Sequence, residues 1–395
     1  MDQRAPVKTF SQEVQSQMKY ISDVKDVKLD KSMGCVIGAF IGDAAGGVLE
    51  FMKDITQEQV DNAMLMPGGG AMRLGNGQIT DDSEMAMCIF QGLLEGRRNE
   101  PQSGQLVLDL DNITKYFGLW RDAAFDIGNT TFKALVVINA KKPSPFNVYG
   151  NVMKVNVSSQ TNGCLMRITP LAVWCQNLSD EELFEAVKLQ TQLTHCHPNA
   201  VRACQLYCLA IKHLINNPGD AAGAYLVAKS MAGDIASWFE AIETGQLPPA
   251  TKNIGHSKIA FTYSFHYLLQ VANDPTLTYE KCIKQMLLAG GDTDTNAAIV
   301  GGLLGAYFGV GALPQNMIEA MLSFKTESDE LKKQYGGQIR PRYLIPHYTL
   351  LNDITLITQN APNMLVVQYM GELYDEQEKI KQIITDAKNA QITQP

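Results

Sequence analysis

The stretch MGCVIGAFIGDAA, Met33 to Ala45, decides how this chain folds. Its apolar residues run almost without a break, and glycine stands at 34, 38, 42 and 46, an interval that keeps all four on one helical face. Glycine lowers helix propensity by about 1 kcal/mol against alanine, so a repeated stripe of it is expected where backbones must come close. The device returns near the other end of the chain. Ala297 to Leu313 reads AAIVGGLLGAYFGVGAL, with glycine at 301, 305 and 309. This second stretch carries no charge, but it is short for a bilayer span and starts beside an aspartate cluster, so a helix inside a soluble core is the better reading.

Outward from these two stretches, helical patterning covers 83–96, 113–124, 165–177, 180–193, 198–215, 221–242, 256–272, 278–289 and 314–334. Only 134–138 and 152–158 carry enough β-branched residues to suggest strands. The segment 141–164, rich in Lys, Pro, Asn and Ser, reads as a long loop. No repeat of solenoid length occurs. The expectation is an all-α chain in three parts: an N-terminal extension at 1–31, one large domain at 32–337, and a C-terminal extension at 338–395 with helices at 346–358 and 364–388.

The 395 residues are 45% hydrophobic and 19% charged, the balance of a soluble globular protein. The net charge of −8 offers no basic stripe for nucleic acid or an anionic membrane, and neither is expected as a partner. The opening MDQRAPVKTFSQEVQ lacks the apolar core of a signal peptide, and the eight cysteines form no disulfide framework. Reduced thiols in a cytoplasmic protein, with a monomer favoured, follow as expectations.

Two acidic helix starts carry the chemistry. Gly77-Gln78-Ile79-Thr80-Asp81-Asp82-Ser83-Glu84 precedes the apolar run MAMCIFQGLL, and by itself it is also what an ordinary helix cap looks like. Gly290-Gly291-Asp292-Thr293-Asp294-Thr295-Asn296 opens the second glycine-striped stretch. Its Asp-x-Asp-x-Asn order resembles a calcium loop, but Ala297 and Leu303 stand where that loop needs glycine and glutamate. Together the clusters offer hard oxygen ligands suited to Mg²⁺ or Mn²⁺, and four aspartates balance two divalent cations. Glu50, after Gly46-Gly47, is either held at a cavity edge or is a solvated helix-end glutamate. Phe125-Asp126-Ile127-Gly128-Asn129-Thr130 and Thr161-Asn162-Gly163-Cys164-Leu165-Met166-Arg167 are polar turns before helices, whose free N–H groups suit phosphate oxygens. In Thr194-His195-Cys196-His197-Pro198 a histidine contacting substrate is favoured over zinc, because the spacing to Cys204 and Cys208 fits no closed zinc site. Gly68-Gly69-Gly70 is no P-loop, since no Gly-Lys-Ser/Thr follows.

In order, the segments GAFIGDAAGGVLEFM, MPGGGAMRLGNGQITDDSEMAM, FDIGNT, NGCLMR, THCHP and AGGDTDTNAAIVGGLLGAYFGV resemble the ADP-ribosylglycohydrolase family across roughly residues 32–330. Within it they are most similar to the branch that activates dinitrogenase reductase by removing ADP-ribose from arginine. The resemblance implies an all-α orthogonal bundle around a dinuclear Mg²⁺ or Mn²⁺ centre. It implies Thr80, Asp81, Asp82, Asp292, Asp294 and Thr295 as metal ligands, and Glu50 and Asp126 as the catalytic carboxylates, the division of proton work between them being open. It further implies that Asp81, Gly128, Asn129, Asn162, Gly163, Cys164, Met166 and His195 or His197 contact substrate. The expected partner is an ADP-ribosylated protein, with ADP-ribose released. Action on ADP-ribosylserine or an ADP-ribose ester, or non-catalytic binding of ADP-ribose, are the alternatives. Cys164 departs from the family's small residue there, and Ser83 from its threonine.

Overall fold

The structure is a computed structural model and describes residues 10–99 and 108–359. The first glycine stripe lies in a helix over Val27–Gly46, started by Asp26, whose side chain accepts the amide of Leu29 at 3.0 Å. The second lies in Thr293–Phe308. These two helices run antiparallel in direct backbone contact. A β-carbon on Gly34, Gly38, Gly42 or Gly46 would collide with the carbonyl oxygen of Gly305, Gly301, Ala297 or Thr293 respectively. Side chains anywhere along this seam would push the backbones apart, which is why the sequence accepts the cost of glycine there. The register brings the C-terminal end of one helix, at Gly46, onto the N-terminal end of the other, at Thr293.

The remaining helices wrap this pair. Ser257–Asn273, Tyr279–Leu288 and Pro198–Asn216 pack on the second central helix, and Pro346–Gln359 packs on the first. Buried hydroxyls tie the layers to carbonyls: Tyr279 Oη donates to Gly38 at 2.5 Å and Tyr207 Oη to Ile299 at 2.7 Å. The helix Asp81–Asn99 lies beside Leu110–Ala123. No helix among the described residues is long and apolar enough to cross a membrane.

The all-α expectation holds: apart from the isolated bridges Gly69–Leu74 and Thr161–His256, the described residues contain no strand. Neither suspected strand exists. Residues 134–138 run out of the helix Asn129–Leu135, and 152–158 out of Pro145–Val155. The β-branched valines simply sit at helix ends. The supposed loop 141–164 therefore contains a helix, begun by Ser144 as N-cap with Pro145 in the first turn. The long reading 221–242 divides into Ala221–Ser230 and Ala236–Glu243 around Gly233, whose φ is +54°. Likewise 314–334 divides into Gln315–Ser323 and Asp329–Tyr335.

A break between residues 31 and 32 would fall inside the first central helix. The expected helix at 364–388 lies outside the described residues. Residues 338–359 pack against the body: Arg340 is buried, and its guanidinium meets the Glu84 carboxylate at 2.5 and 2.6 Å. The helix Phe10–Ser22 joins that segment, Gln17 Nε2 donating to the carbonyl of His347 at 2.6 Å.

Candidate active site

The antiparallel pair brings Glu50 against Thr293. The Glu50 carboxylate accepts the Thr293 amide and hydroxyl, each at 3.2 Å, while that hydroxyl also lies 2.8 Å from the Gly46 carbonyl. The solvated-glutamate reading is thus excluded, for Glu50 is only 9% exposed. Gly290 and Gly291, with φ of +71° and +82°, turn the chain into this helix, and a β-carbon on Gly291 would strike the Ala250 carbonyl.

The other acidic start is delivered by a residue whose role was not read from the sequence. Asp43, buried in the first central helix, accepts the Thr80 hydroxyl at 2.6 Å, the Thr80 amide at 3.0 Å and the Ser83 amide at 3.1 Å. It caps the helix Asp81–Asn99 from a different element. An aspartate amid glycine, alanine and isoleucine was the available signal, since such a group needs donors when buried. Thr80 Oγ1 in turn lies 3.3 Å from Asp82 and 3.5 Å from Asp294, so the two clusters meet.

The carboxylates form two overlapping groups, Glu50 with Asp292 and Asp294, and Asp81 with Asp82 and Asp294; within each, one oxygen per residue lies within 4.8 Å of the others. Burial, followed by the charges of Glu50, Asp82, Asp292 and Asp81, pushes Asp294 well above the usual carboxylate range. Asp81 and Asp82 shift the same way, first by burial and then by their acidic neighbours. Burial and the Asp292 charge raise Glu50 to about 7; burial raises Asp43 to about 6 against the hydrogen bonds of Ser83 and Thr80. Asp82 Oδ1 is buried without a hydrogen-bond donor. Crowded anions with an unmet acceptor are what a divalent cation would satisfy, and the all-oxygen donor set suits a hard one. The residues fit a metal centre.

These acids floor a cleft of ≈ 450 Å³, in which Glu50, Asp81, Asp292, Asp294 and Thr295 face Asp126, Gly128, Asn129, Asn162, Gly163 and Met166. Asn162 Nδ2 reaches Asp292 at 2.7 Å, joining the two walls. Burial raises Asp126. Thr80 and Asp82 lie beneath the floor, fully buried. Three residues expected to contact substrate are not among those lining the cleft. His195 is buried, bonded through Nε2 to Thr161 Oγ1 at 2.7 Å and through Nδ1 to Thr194 Oγ1 at 2.8 Å, and so braces the turn that carries Gly163. His197 caps the helix Pro198–Asn216 through its bond from Asn199 at 3.2 Å. Cys164 is buried, its thiol directed at the Thr161 carbonyl. The cleft lining also includes Phe51, Thr131, Ile254 and Gly255, to which the sequence motifs assign no role, and Thr161 of the second polar turn.

This helical arrangement is shared with a solved structure described as an ADP-ribosylglycohydrolase-related protein complex, at a TM-score of 0.62 and 19% identity, covering 86% of this chain and 100% of that one. The fold is therefore that of the all-α ADP-ribosylglycohydrolases. Residues 24–343 match the profile of the ADP-ribosylglycohydrolase family, and the chain belongs to that family. Among its relatives, the ADP-ribosyl-[dinitrogen reductase] glycohydrolase of Rhodospirillum rubrum is 28% identical, covering 77% of this chain and 94% of that protein. An ADP-ribosylarginine hydrolase of Pseudomonas putida is 26% identical over 74% of each chain. The ADP-ribosylhydrolase ARH3 of Homo sapiens is 24% identical, covering 73% of this chain and 88% of that one. Family members are ADP-ribosyl hydrolases.

Proposed function

We propose that this protein hydrolyses the bond between the ribose C1″ of ADP-ribose and an arginine guanidinium nitrogen of a modified cytoplasmic protein. The observation that supports this best is the pair of buried carboxylate groups sharing Asp294 at the floor of a cleft with polar, glycine-containing turns opposite. Arginine is favoured as the linkage because two similar relatives bear names for dinitrogen-reductase and ADP-ribosylarginine activity.

Thr80, Asp81, Asp82, Asp292, Asp294 and Thr295 would hold two Mg²⁺ or Mn²⁺ ions. Bound there, the ions would neutralise the carboxylates and orient the ribose hydroxyls as Lewis acids. The chain's own groups supply the rest. The turn at Gly128-Asn129 and the amide of Gly163 would face the diphosphate, while the Asn162 amide is held by the Gly255 carbonyl at 2.9 Å, and Met166 lines the same cleft. Hydrolysis breaks C1″–N, forms C1″–O with water, and moves one of the water's protons to the departing nitrogen. Glu50 and Asp126 are the two cleft carboxyls that can carry that proton. Thr293 fixes the Glu50 carboxylate in one orientation, as a proton carrier beside C1″ requires.

The test is release of ADP-ribose from arginine-linked and serine-linked ADP-ribosyl peptides, with Mg²⁺ or Mn²⁺ and after chelation. Metal-dependent release from the arginine form is expected. Inactivity on that form would reject the arginine linkage, and tight ADP-ribose binding without turnover of either peptide would make the protein a binder.

A further inference from the structure

We propose that Phe51 is a specificity-determining residue, its ring receiving the flat guanidinium and aliphatic stem of the departing arginine at the cleft mouth; this rests on the arginine-hydrolase reading above. Phe51 directly follows Glu50 and lines the same cleft. The two neighbours have opposite environments. Glu50 is 9% exposed and held by Thr293, whereas Phe51 is 70% exposed, the most open large apolar side chain among the described residues.

The backbone at Phe51 is the second observation. Its φ of +66° lies in the left-handed region, where a bulky side chain is strained and glycine is not. The turn is closed on itself, with Leu49 N donating to the Gly46 carbonyl at 2.9 Å and Met52 N to the Leu49 carbonyl at 3.0 Å. A bulky aromatic that is neither buried nor conformationally at ease gains nothing for the fold. Strain kept in such a place belongs to a ligand contact.

The chemistry of the cleft selects the ligand. Two cleft carboxyls, Glu50 and Asp126, lie outside the proposed ligand set and favour a cationic leaving group, and Glu50, one of the two candidate proton carriers, directly precedes Phe51. Because the ring lines the same cleft as that carboxylate and is largely exposed, it is open to contact by a departing group there. A guanidinium is planar, weakly hydrated and suited to an aromatic face. A serine leaving group offers neither the plane nor the charge.

The experiment compares Phe51→Ala, Phe51→Leu, Phe51→Trp and Phe51→Gly with the unaltered protein on arginine-linked peptides, with ADP-ribose as product inhibitor. The Ala, Leu and Gly variants are expected to lose about five- to thirty-fold in kcat/KM, mostly through KM, while Phe51→Trp keeps activity. The inhibition constant of ADP-ribose should change less than about two-fold, because the ring faces the departing side and not the retained nucleotide. Phe51→Gly should fold with an undiminished Tm, since glycine accepts the backbone conformation freely, which separates a lost contact from a damaged fold. Unchanged kcat/KM in all variants overturns the proposal. An equal loss of ADP-ribose affinity also overturns it, making Phe51 an adenine platform instead. Unaltered protein that is inactive on arginine-linked peptides rejects the function reading itself, and the proposal with it.

Discussion

Asp294 belongs to both carboxylate groups, and no other residue does. It is the point at which the two acidic helix starts become one site. Asp294→Ala should therefore remove both bound ions, read by elemental analysis of the purified protein, and lower turnover by at least about a thousand-fold, the loss expected when Lewis-acid stabilisation worth several kcal/mol disappears. Asp81→Ala strips only the group it shares with Asp82 and should leave part of the metal content. Far-ultraviolet circular dichroism should show the helices intact in both, and retained metal with full turnover in Asp294→Ala would reject the shared-ligand reading. At this scale the sequence was informative for residues whose chemistry is unusual in number: four aspartates at two helix starts ask for a common explanation through charge alone. It was silent on partners. Asp43 looked like one polar residue in an apolar helix, and His195 looked like a ligand contact, because only tertiary geometry tells that the first caps a neighbouring helix and the second braces a turn.

The two glycine-striped helices pack at one register, and that register is testable residue by residue. A β-carbon at Gly42 meets backbone atoms of Ala297 and Ala298, which no rotamer change can relieve. Gly42→Val should destabilise by about 3 kcal/mol or more, or prevent soluble expression, as measured by urea unfolding. Gly150 makes the contrast. It sits in the helix Pro145–Val155 with nothing within 4 Å of an added β-carbon, so Gly150→Ala should stabilise by about 0.5–1 kcal/mol through helix propensity alone. Equal effects from the two substitutions would mean that the stripe is not a contact surface. Helices with a continuous apolar face were legible because period and burial agree. The helix Pro145–Val155 is hidden in the sequence because Pro and Ser suit a loop, though Ser-Pro is equally a helix start. The break within 221–242 is masked because Met231, Ala232 and Ile235 continue the apolar pattern, whereas the one within 314–334 falls on the polar Lys325-Thr326-Glu327-Ser328, where Ser328 caps the next helix.

Across the whole molecule the buried acids should make stability depend on pH, and on any cation they hold. Carboxyls whose folded pKa is raised hold protons in the folded state that the unfolded chain has already released, so their contribution is complete at low pH and fades as pH rises through the folded value. Asp43 at about 6 and Glu50 at about 7 set the window, with Asp81, Asp82 and Asp294 shifted the same way. The Tm of metal-free protein should fall between about pH 5 and pH 8. Added Mg²⁺ or Mn²⁺ should restore it, with the largest gain at the alkaline end, where binding displaces no protons. A metal-free Tm that climbs steadily over that range would contradict the crowded-carboxylate description.

The contact between Gly46 and Thr293 spans 247 residues of sequence, which gives the site a birth date as well as a geometry. At about 5–20 residues per second, a ribosome needs roughly 12–50 seconds to travel from one partner to the other. For that interval the first central helix exists with a bare, glycine-lined face and no mate. Nothing resembling the acidic cleft can form in the nascent chain until Asp292 to Thr295 have been made. A cation held by both carboxylate groups would then be bound only after both helices have emerged, as a late lock and not as a seed for the fold.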